Sequence, residues 1–384
     1  IGKTSTASQL AAEVARLDQP GVAAVYRSDP DAALRRADRP LVLDEWQEVP
    51  EILPAVKRAV DRDPSAGRFI LTGSIRAELT ADMWPATGRV IRLAMYPLVE
   101  RELSEESSPR AAFFIDRLVS QGIDAFQTPE VPPDIDAYIS RAVRSGFPDI
   151  VFRDRAELAQ SIWLESYVDD VLMRDAATEA GRDAAKLRRW LAAVALNNAG
   201  MPSDATLYQA ADINARTSAA YDRLLQNMYL LDVVPAWTTN RLGRLVKQGK
   251  RYLIDAGFAA TAAGLDPSVI VRSADLVGRW FDAFATAQLR AEIALMHPRP
   301  SLHHLRVGTG RREIDLVVEL GAGRVVGLEF KAGVAPDERD AQHLSWLRDE
   351  LGDEFVAGAV IHAGPGIYEL GDRIFAIPLC ALWT

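Results

Sequence analysis

The chain has 384 residues, more than one ordinary core holds, so two or three domains are expected. A hydrophobic fraction of 48% and a charged fraction of 25% are those of a soluble globular protein, and a net charge of −9 excludes a basic nucleic-acid coat while leaving room for local basic patches. No apolar run reaches the length of a membrane span and no signal peptide is visible, so no membrane partner is expected and cytoplasm is the expected location.

The sequence opens Ile1-Gly2-Lys3-Thr4, which matches the end of the phosphate-binding loop G-x-x-x-x-G-K-[ST], cut before its first glycine. The absence of an initiator Met fits an N-terminal truncation. From Thr4 the run STASQLAAEVARL predicts a helix, with Ala7, Leu10, Ala11, Val14 and Leu17 on one face. A helix starting there points its amides at a phosphate. Lys3 would reach the β- and γ-phosphates, and the Thr4 hydroxyl would ligate Mg²⁺.

Gly21–Tyr26 (GVAAVY) is a short strand candidate. Arg39–Gln47 follows, where the apolar run Leu41-Val42-Leu43 ends in Asp44 and Glu45. This pattern predicts a buried parallel strand whose carboxyl end carries two acids, the place where open α/β sheets bind ligands. Buried carboxylates without a partner are costly, so a metal ion is the natural companion. Asp44 would hold Mg²⁺; Glu45, pointing the other way along the pleat, would orient the attacking water as general base. Arg68–Ser74 (RFILTGS) is another apolar run ending in hydroxyl residues, and Thr72 or Ser74 could sense the γ-phosphate. Strand, helix and strand in this order suit a parallel sheet. A chance Gly-Lys-Thr and a solvated Asp44-Glu45 turn are the plainer alternatives, and the apolar run before Asp44 speaks against the second.

The segments LVLDEWQEVPEILPAVKRAVD, FILTGS and PATGRVIRLAMYPLVERELS resemble the AAA-related prokaryotic ATPases that carry a C-terminal DUF4143 domain. Asp44, Glu45 and Gln47 match that family's acidic motif, with Trp46 in place of the usual aliphatic residue; Gly88-Arg89 and Pro97-Leu98 match as well. The resemblance implies a P-loop ATPase core over residues 1–100 that takes ATP and Mg²⁺. It also implies Arg89 as the cation meeting the γ-phosphate, against the plainer alternative of a surface arginine.

Glu100–Arg110 is polar and acidic and suits a boundary. A helical connector is expected over residues 101–203, including WLESYVDDVLMR with Trp163, Tyr167, Val168 and Leu172 at helical spacing, a core-packing pattern. Residues 204–260 suggest a winged-helix-like unit: short helices around Asn214–Thr217, then a basic stretch with Arg241, Arg244, Lys247, Lys250 and Arg251 flanked by Trp237 and Tyr252. Such a wing would touch phosphates of DNA or RNA; the alternative is a solvated hairpin used for packing or for protein contacts.

In residues 272–384, Ser273–Met296 predicts an amphipathic helix with Trp280, Phe281, Phe284, Leu289 and Ile293 on its apolar positions. Glu313–Leu320 alternates, with Asp315 opposite the apolar face, and Val325–Lys331 places Gly327, Glu329 and Lys331 together. An Asp, a hairpin and Glu-x-Lys form the arrangement of PD-(D/E)xK nucleases, in which Asp315 and Glu329 share Mg²⁺ beside Lys331, and the helix acid falls on Asp282. A salt-bridged face or a binding-only scaffold is the plainer alternative. EIDLVVE and GLEFKAG also resemble the DUF4143 C-terminus. His303-His304 has no third ligand at recognisable spacing, so strand histidines on opposite faces are expected. A helix over Pro336–Leu351 and strands over Phe355–Ile361 and Arg373–Leu379 close the domain; the lone Cys380, among Ile377, Leu379 and Leu382, reads as an inert core thiol and excludes an internal disulfide.

The expected architecture is α/β: a P-loop (ASCE/AAA-like) parallel sheet, a helical winged-helix-like region and a restriction-endonuclease-like α/β domain. The expected function is an Mg²⁺-dependent ATPase switch coupled to a DUF4143 effector domain. A nucleic-acid-binding regulator and a metal-dependent nuclease are the alternatives, and a protein partner or homo-oligomer remains open.

Overall fold

The computed structural model describes residues 2–73, 88–104, 112–153, 157–172, 183–238, 248–307 and 311–384. The chain divides into two compact units, Ile1–Met95 and Tyr96–Thr384. No helix among the described residues is long and apolar enough to cross a membrane.

The first unit runs α1 (Lys3–Ser8), β1 (Glu13–Arg16), α2 (Pro20–Ser28), α3 (Pro30–Arg36), β2 (Leu41–Asp44), α4 (Ile52–Arg62) and β3 (Phe69–Thr72). Its three strands are parallel in the order β1-β2-β3, with Arg16, Asp44 and Thr72 in register at their carboxyl ends. The central strand is apolar because both of its faces are covered: Leu41 and Leu43 are fully buried and pack with Leu17, Leu34, Ile52 and Leu53, and Val42, pointing the other way, is fully buried as well.

Two local expectations are overturned. The helix read from Thr4 through Leu17 stops at Ser8, and Glu13–Arg16 is the edge strand. Leu10, counted on the apolar helical face, is 68% exposed, while Pro40 O accepts from Ala12 N at 2.9 Å and starts the ladder to β2. GVAAVY, read as a strand, lies in α2. Pro20 opens that helix, its ring fixing φ at a helical value and its missing N–H being one that a first helical turn leaves unbonded anyway. Ala23 and Tyr26, three residues apart, form its buried stripe.

The second unit begins with α5 (Glu100–Leu103), α6 (Phe114–Gln121), α7 (Ile135–Arg144), α8 (Pro148–Val151) and α9 (Glu157–Asp170). Glu100, the first residue of the stretch expected as a boundary, is buried, held by Arg141 at 2.9 Å and Arg144 at 2.7 Å. In α9, Trp163 stacks on Tyr167 and Val168 is buried, as core packing requires.

Next come α10 (Ala184–Leu196), α11 (Asp204–Ala210) and α12 (Ala215–Asn227), followed by the antiparallel ribbon β4 (Leu231–Val234) and β5 (Lys250–Leu253). Ser203 and Asn214 set the starts of α11 and α12 by accepting from Thr206 N and Thr217 N. After α13 (Ala256–Ala263) and α14 (Pro267–Ile270), the long α15 (Ala274–Ile293) buries Trp280, Phe281, Phe284, Leu289 and Ile293.

The last part is a six-stranded mixed sheet of β6 (Ser301–Val307), β7 (Arg312–Gly321), β8 (Arg324–Lys331), β9 (Phe355–His362), β10 (Tyr368–Gly371) and β11 (Ile374–Pro378), in the order β10-β11-β9-β8-β7-β6. Helix α16 (Gln342–Leu351) joins β8 to the parallel β9. Cys380 is a free, fully buried thiol whose backbone N–H donates to the Tyr138 hydroxyl.

Candidate functional site

In the first unit, the parallel register brings the ends of β2 and β3 side by side and α1 lies against both. Partners in register point to the same face, so Thr72 Oγ1 donates to Asp44 Oδ1 at 2.5 Å. Thr4, in the first turn of α1, donates to that same oxygen at 2.7 Å from 40 residues away. Asp44 and Thr72 are both buried, 6% and 8% exposed. Gly2, just before the helix, has φ 80°, a conformation glycine adopts without steric cost, and Lys3 is the first helical residue.

Past Asp44 the chain turns sharply. Glu45 is held in the left-handed region at φ 53°, ψ 46°, and its carboxylate accepts from Gln47 Nε2. For a non-glycine residue that conformation costs about 1–2 kcal/mol, and such strain concentrates at functional sites. Gly73, at the end of β3, lets the strand approach this turn: a Cβ there would meet Gln47 Oε1 at 2.6 Å and Trp46 Nε1 at 3.0 Å. The buried Trp46 thus wedges the acidic turn against the next strand.

The Thr4 hydroxyl oxygen beside the Asp44 carboxylate makes a hard oxygen ligand pair, which suits Mg²⁺ completed by substrate phosphates rather than an all-protein cage. The chain brings Gly2, Lys3, Thr4, Asp44, Glu45 and Thr72 to one end of the sheet. Ser74 lies outside the described residues. Arg89 does not join the cluster: it pairs with Asp61 in the last turn of α4, which leads back to the start of β3, the opposite end of the strands from Asp44.

In the second unit, the predicted acids converge but their cation is unexpected. Lys250 Nζ, on β5, donates to Asp282 Oδ2 at 2.6 Å and to Asp315 Oδ1 at 2.8 Å, with the lysine only 3% exposed. Asp282 Oδ1 accepts from Tyr252 OH and Thr286 Oγ1, both at 3.0 Å, and Asp315 Oδ2 from Phe330 N at 3.0 Å. Burial works against the ammonium, but Asp282 and Asp315 outweigh it and hold Lys250 well above its ordinary range. Burial pushes Asp282 up to about 6, whereas for Asp315 burial is outweighed by Lys250 and the carboxyl titrates below its usual range.

Glu329 is 5% exposed, and burial together with the Asp315 charge pushes it well above the carboxylate range. It shares a hydrogen bond with Asp315, and its Oε1 lacks a hydrogen-bond partner 3.8 Å from His343 Nδ1. Lys331 ends β8 in register with His362, and its charge opposes the upward push on Glu329. With Lys250 Nζ and the Phe330 N–H on the two oxygens of Asp315, shared Mg²⁺ between Asp315 and Glu329 does not fit these residues, and among the described residues no group of three or more His, Cys, Asp or Glu is set to hold a metal.

The basic stretch is corrected at two of its five residues, Lys250 and Arg251. Arg241, Arg244 and Lys247 lie outside the described residues. Lys250 is consumed by Asp282 and Asp315, and Arg251 by Asp204 at 2.8 Å and Asp222 at 3.0 Å. Trp237 and Tyr252, which flank that stretch, are both buried. The sequence carried one signal for the lysine's true place: Lys250 and Tyr252 share a strand face, as Asp282 and Thr286 share a helix face. His303 and His304 are both buried on β6; His303 Nε2 lies 3.5 Å from Glu319, and His304 Nε2 donates to Gln248 O at 3.0 Å.

Residues 1–104 match the family described as an AAA domain, residues 135–269 a domain of unknown function (DUF8612), and residues 277–382 a domain of unknown function (DUF4143). Two similar curated proteins are the uncharacterized protein Rv2008c of Mycobacterium tuberculosis and the uncharacterized protein Mb2031c of Mycobacterium bovis. Each is 26% identical over 366 residues, covering 94% of this chain and 74% of the relative.

Proposed function

We propose that this chain, an AAA-related protein with a C-terminal DUF4143 domain, is an Mg²⁺-dependent ATPase whose nucleotide state is read as a switch by the second unit. The observation that carries this reading is the double hydrogen bond on Asp44, where hydroxyls from α1 and β3 meet the acid at the end of β2.

The roles follow from the elements that hold each group. Lys3 contacts the β- and γ-phosphates. Thr4 and Asp44 would hold the Mg²⁺, which when bound would neutralise charge on the phosphate oxygens. Thr72 fixes the Asp44 carboxylate from the adjacent strand. Glu45, on its strained turn and tethered by Gln47, holds the attacking water and takes its proton as the water oxygen reaches the γ-phosphorus and the bond to the leaving diphosphate breaks.

The test is ATP binding and turnover with Mg²⁺, measured on the full-length polypeptide beside Glu45→Gln and Lys3→Ala. Turnover lost in both, with binding retained in Glu45→Gln, supports the switch. No nucleotide binding in the parent protein would refute it.

A further inference from the structure

We propose that the Lys250 ammonium takes the position of a divalent cation in the C-terminal carboxylate cluster, making Asp282, Asp315 and Glu329 a metal-free ionic latch between the β4–β5 ribbon and the C-terminal sheet. The ammonium lies within 2.8 Å of one oxygen from each aspartate, in the gap a bridging metal would need. A metal ion and the ammonium cannot share it: hard divalent cations sit about 2.0–2.6 Å from their oxygens.

The remaining groups tell the same story. The second oxygen of Asp282 is saturated by Tyr252 and Thr286, and that of Asp315 by the Phe330 amide, so neither aspartate has an oxygen left without a donor. Glu329 Oε1, beside them, lacks a hydrogen-bond partner inside the protein. Removing the ammonium leaves two aspartates, one of them bonded to Glu329, around an empty cation position.

The cation is also tethered. Lys250 reaches Asp282 across 32 residues and Asp315 across 65, so its charge is delivered by the ribbon that follows α12. Seating that ribbon and neutralising the carboxylates are one event.

The experiment titrates Mn²⁺ into the full chain without nucleotide and follows the bound ion by paramagnetic resonance. Asp44→Asn is present throughout to silence the first unit's cation site. The parent is expected to bind no Mn²⁺ at this centre. Lys250→Ala is expected to gain a site with a Kd of about 10⁻⁴ M, lost again in Lys250→Ala/Asp315→Asn. Binding in the parent that disappears with Asp315→Asn overturns the proposal, as does a folded Lys250→Ala that gains no site. Should Lys250→Ala fail to fold without metal, it and Lys250→Met are refolded with Mn²⁺. Metal-dependent folding of either variant supports the latch, and failure of both to gain any overturns it.

Discussion

Thr72 Oγ1 donates to Asp44 Oδ1 at 2.5 Å across adjacent parallel strands, placing a buried hydroxyl and a buried carboxylate in one bond at the end of the sheet. This pair links the register of β2 and β3 to the aim of the acid. It makes the site sensitive to changes that leave every charge in place.

Thr72→Val keeps the shape of the residue and removes the donor. Losing a buried hydrogen bond to a charged acceptor costs about 1.5–3 kcal/mol. ATP turnover is expected to fall at least about tenfold while nucleotide binding persists, read from steady-state kinetics beside an equilibrium titration.

Gly73→Ala introduces a Cβ that meets Gln47 Oε1 at 2.6 Å and the Trp46 ring at 3.0–3.1 Å. Overpacking of this kind costs about 1–3 kcal/mol. Because the displaced residues carry the Glu45 turn, turnover should fall by more than the loss of thermal stability accounts for. Normal turnover in a destabilised variant would separate the turn from catalysis.

Asp282→Asn leaves the buried Lys250 with Asp315 alone. Breaking a buried ion pair from one side costs about 3–5 kcal/mol, seen as a lower denaturant midpoint. The double variant Lys250→Met/Asp282→Asn should lose less than the sum of the single changes, since neither group then remains as an uncompensated charge.

His304 gives a pH signature. Burial, reinforced by the nearby Lys250 and Arg306, lowers it from 6.5 to about 4 despite its bond to Gln248 O. A histidine depressed in the folded state stabilises above its unfolded value and loses that contribution as pH falls. The melting temperature should therefore drop between pH 6.5 and about 4, by the equivalent of roughly 3 kcal/mol at this group. His304→Gln, which keeps a donor for Gln248 O but cannot titrate, should flatten the slope in that window.

Much of the first site was legible because its signals are local. Leu41-Val42-Leu43-Asp44 announces a covered strand with an acid at its end, and Gly2-Lys3-Thr4 a glycine turn opening a helix. The segments on either side were misread for want of a local tie-breaker. An alanine-rich run satisfies helical and strand periods alike, so Glu13–Arg16 was settled by pairing to β2. GVAAVY was settled by Pro20 at the first helical position, a signal present but outweighed by the apolar run.

The sequence by itself determined which residues are acids at strand ends, which runs must be buried, and that Asp315 and Glu329 lie on a hairpin with Asp282 on the preceding helix. Only the tertiary structure decided what neutralises them. A charge removed from water must find a partner wherever the fold brings one, and chain separation does not encode that distance. Lys250 reads as part of a basic ribbon until β5 is seated, when it lies 2.6 Å from Asp282 and 2.8 Å from Asp315.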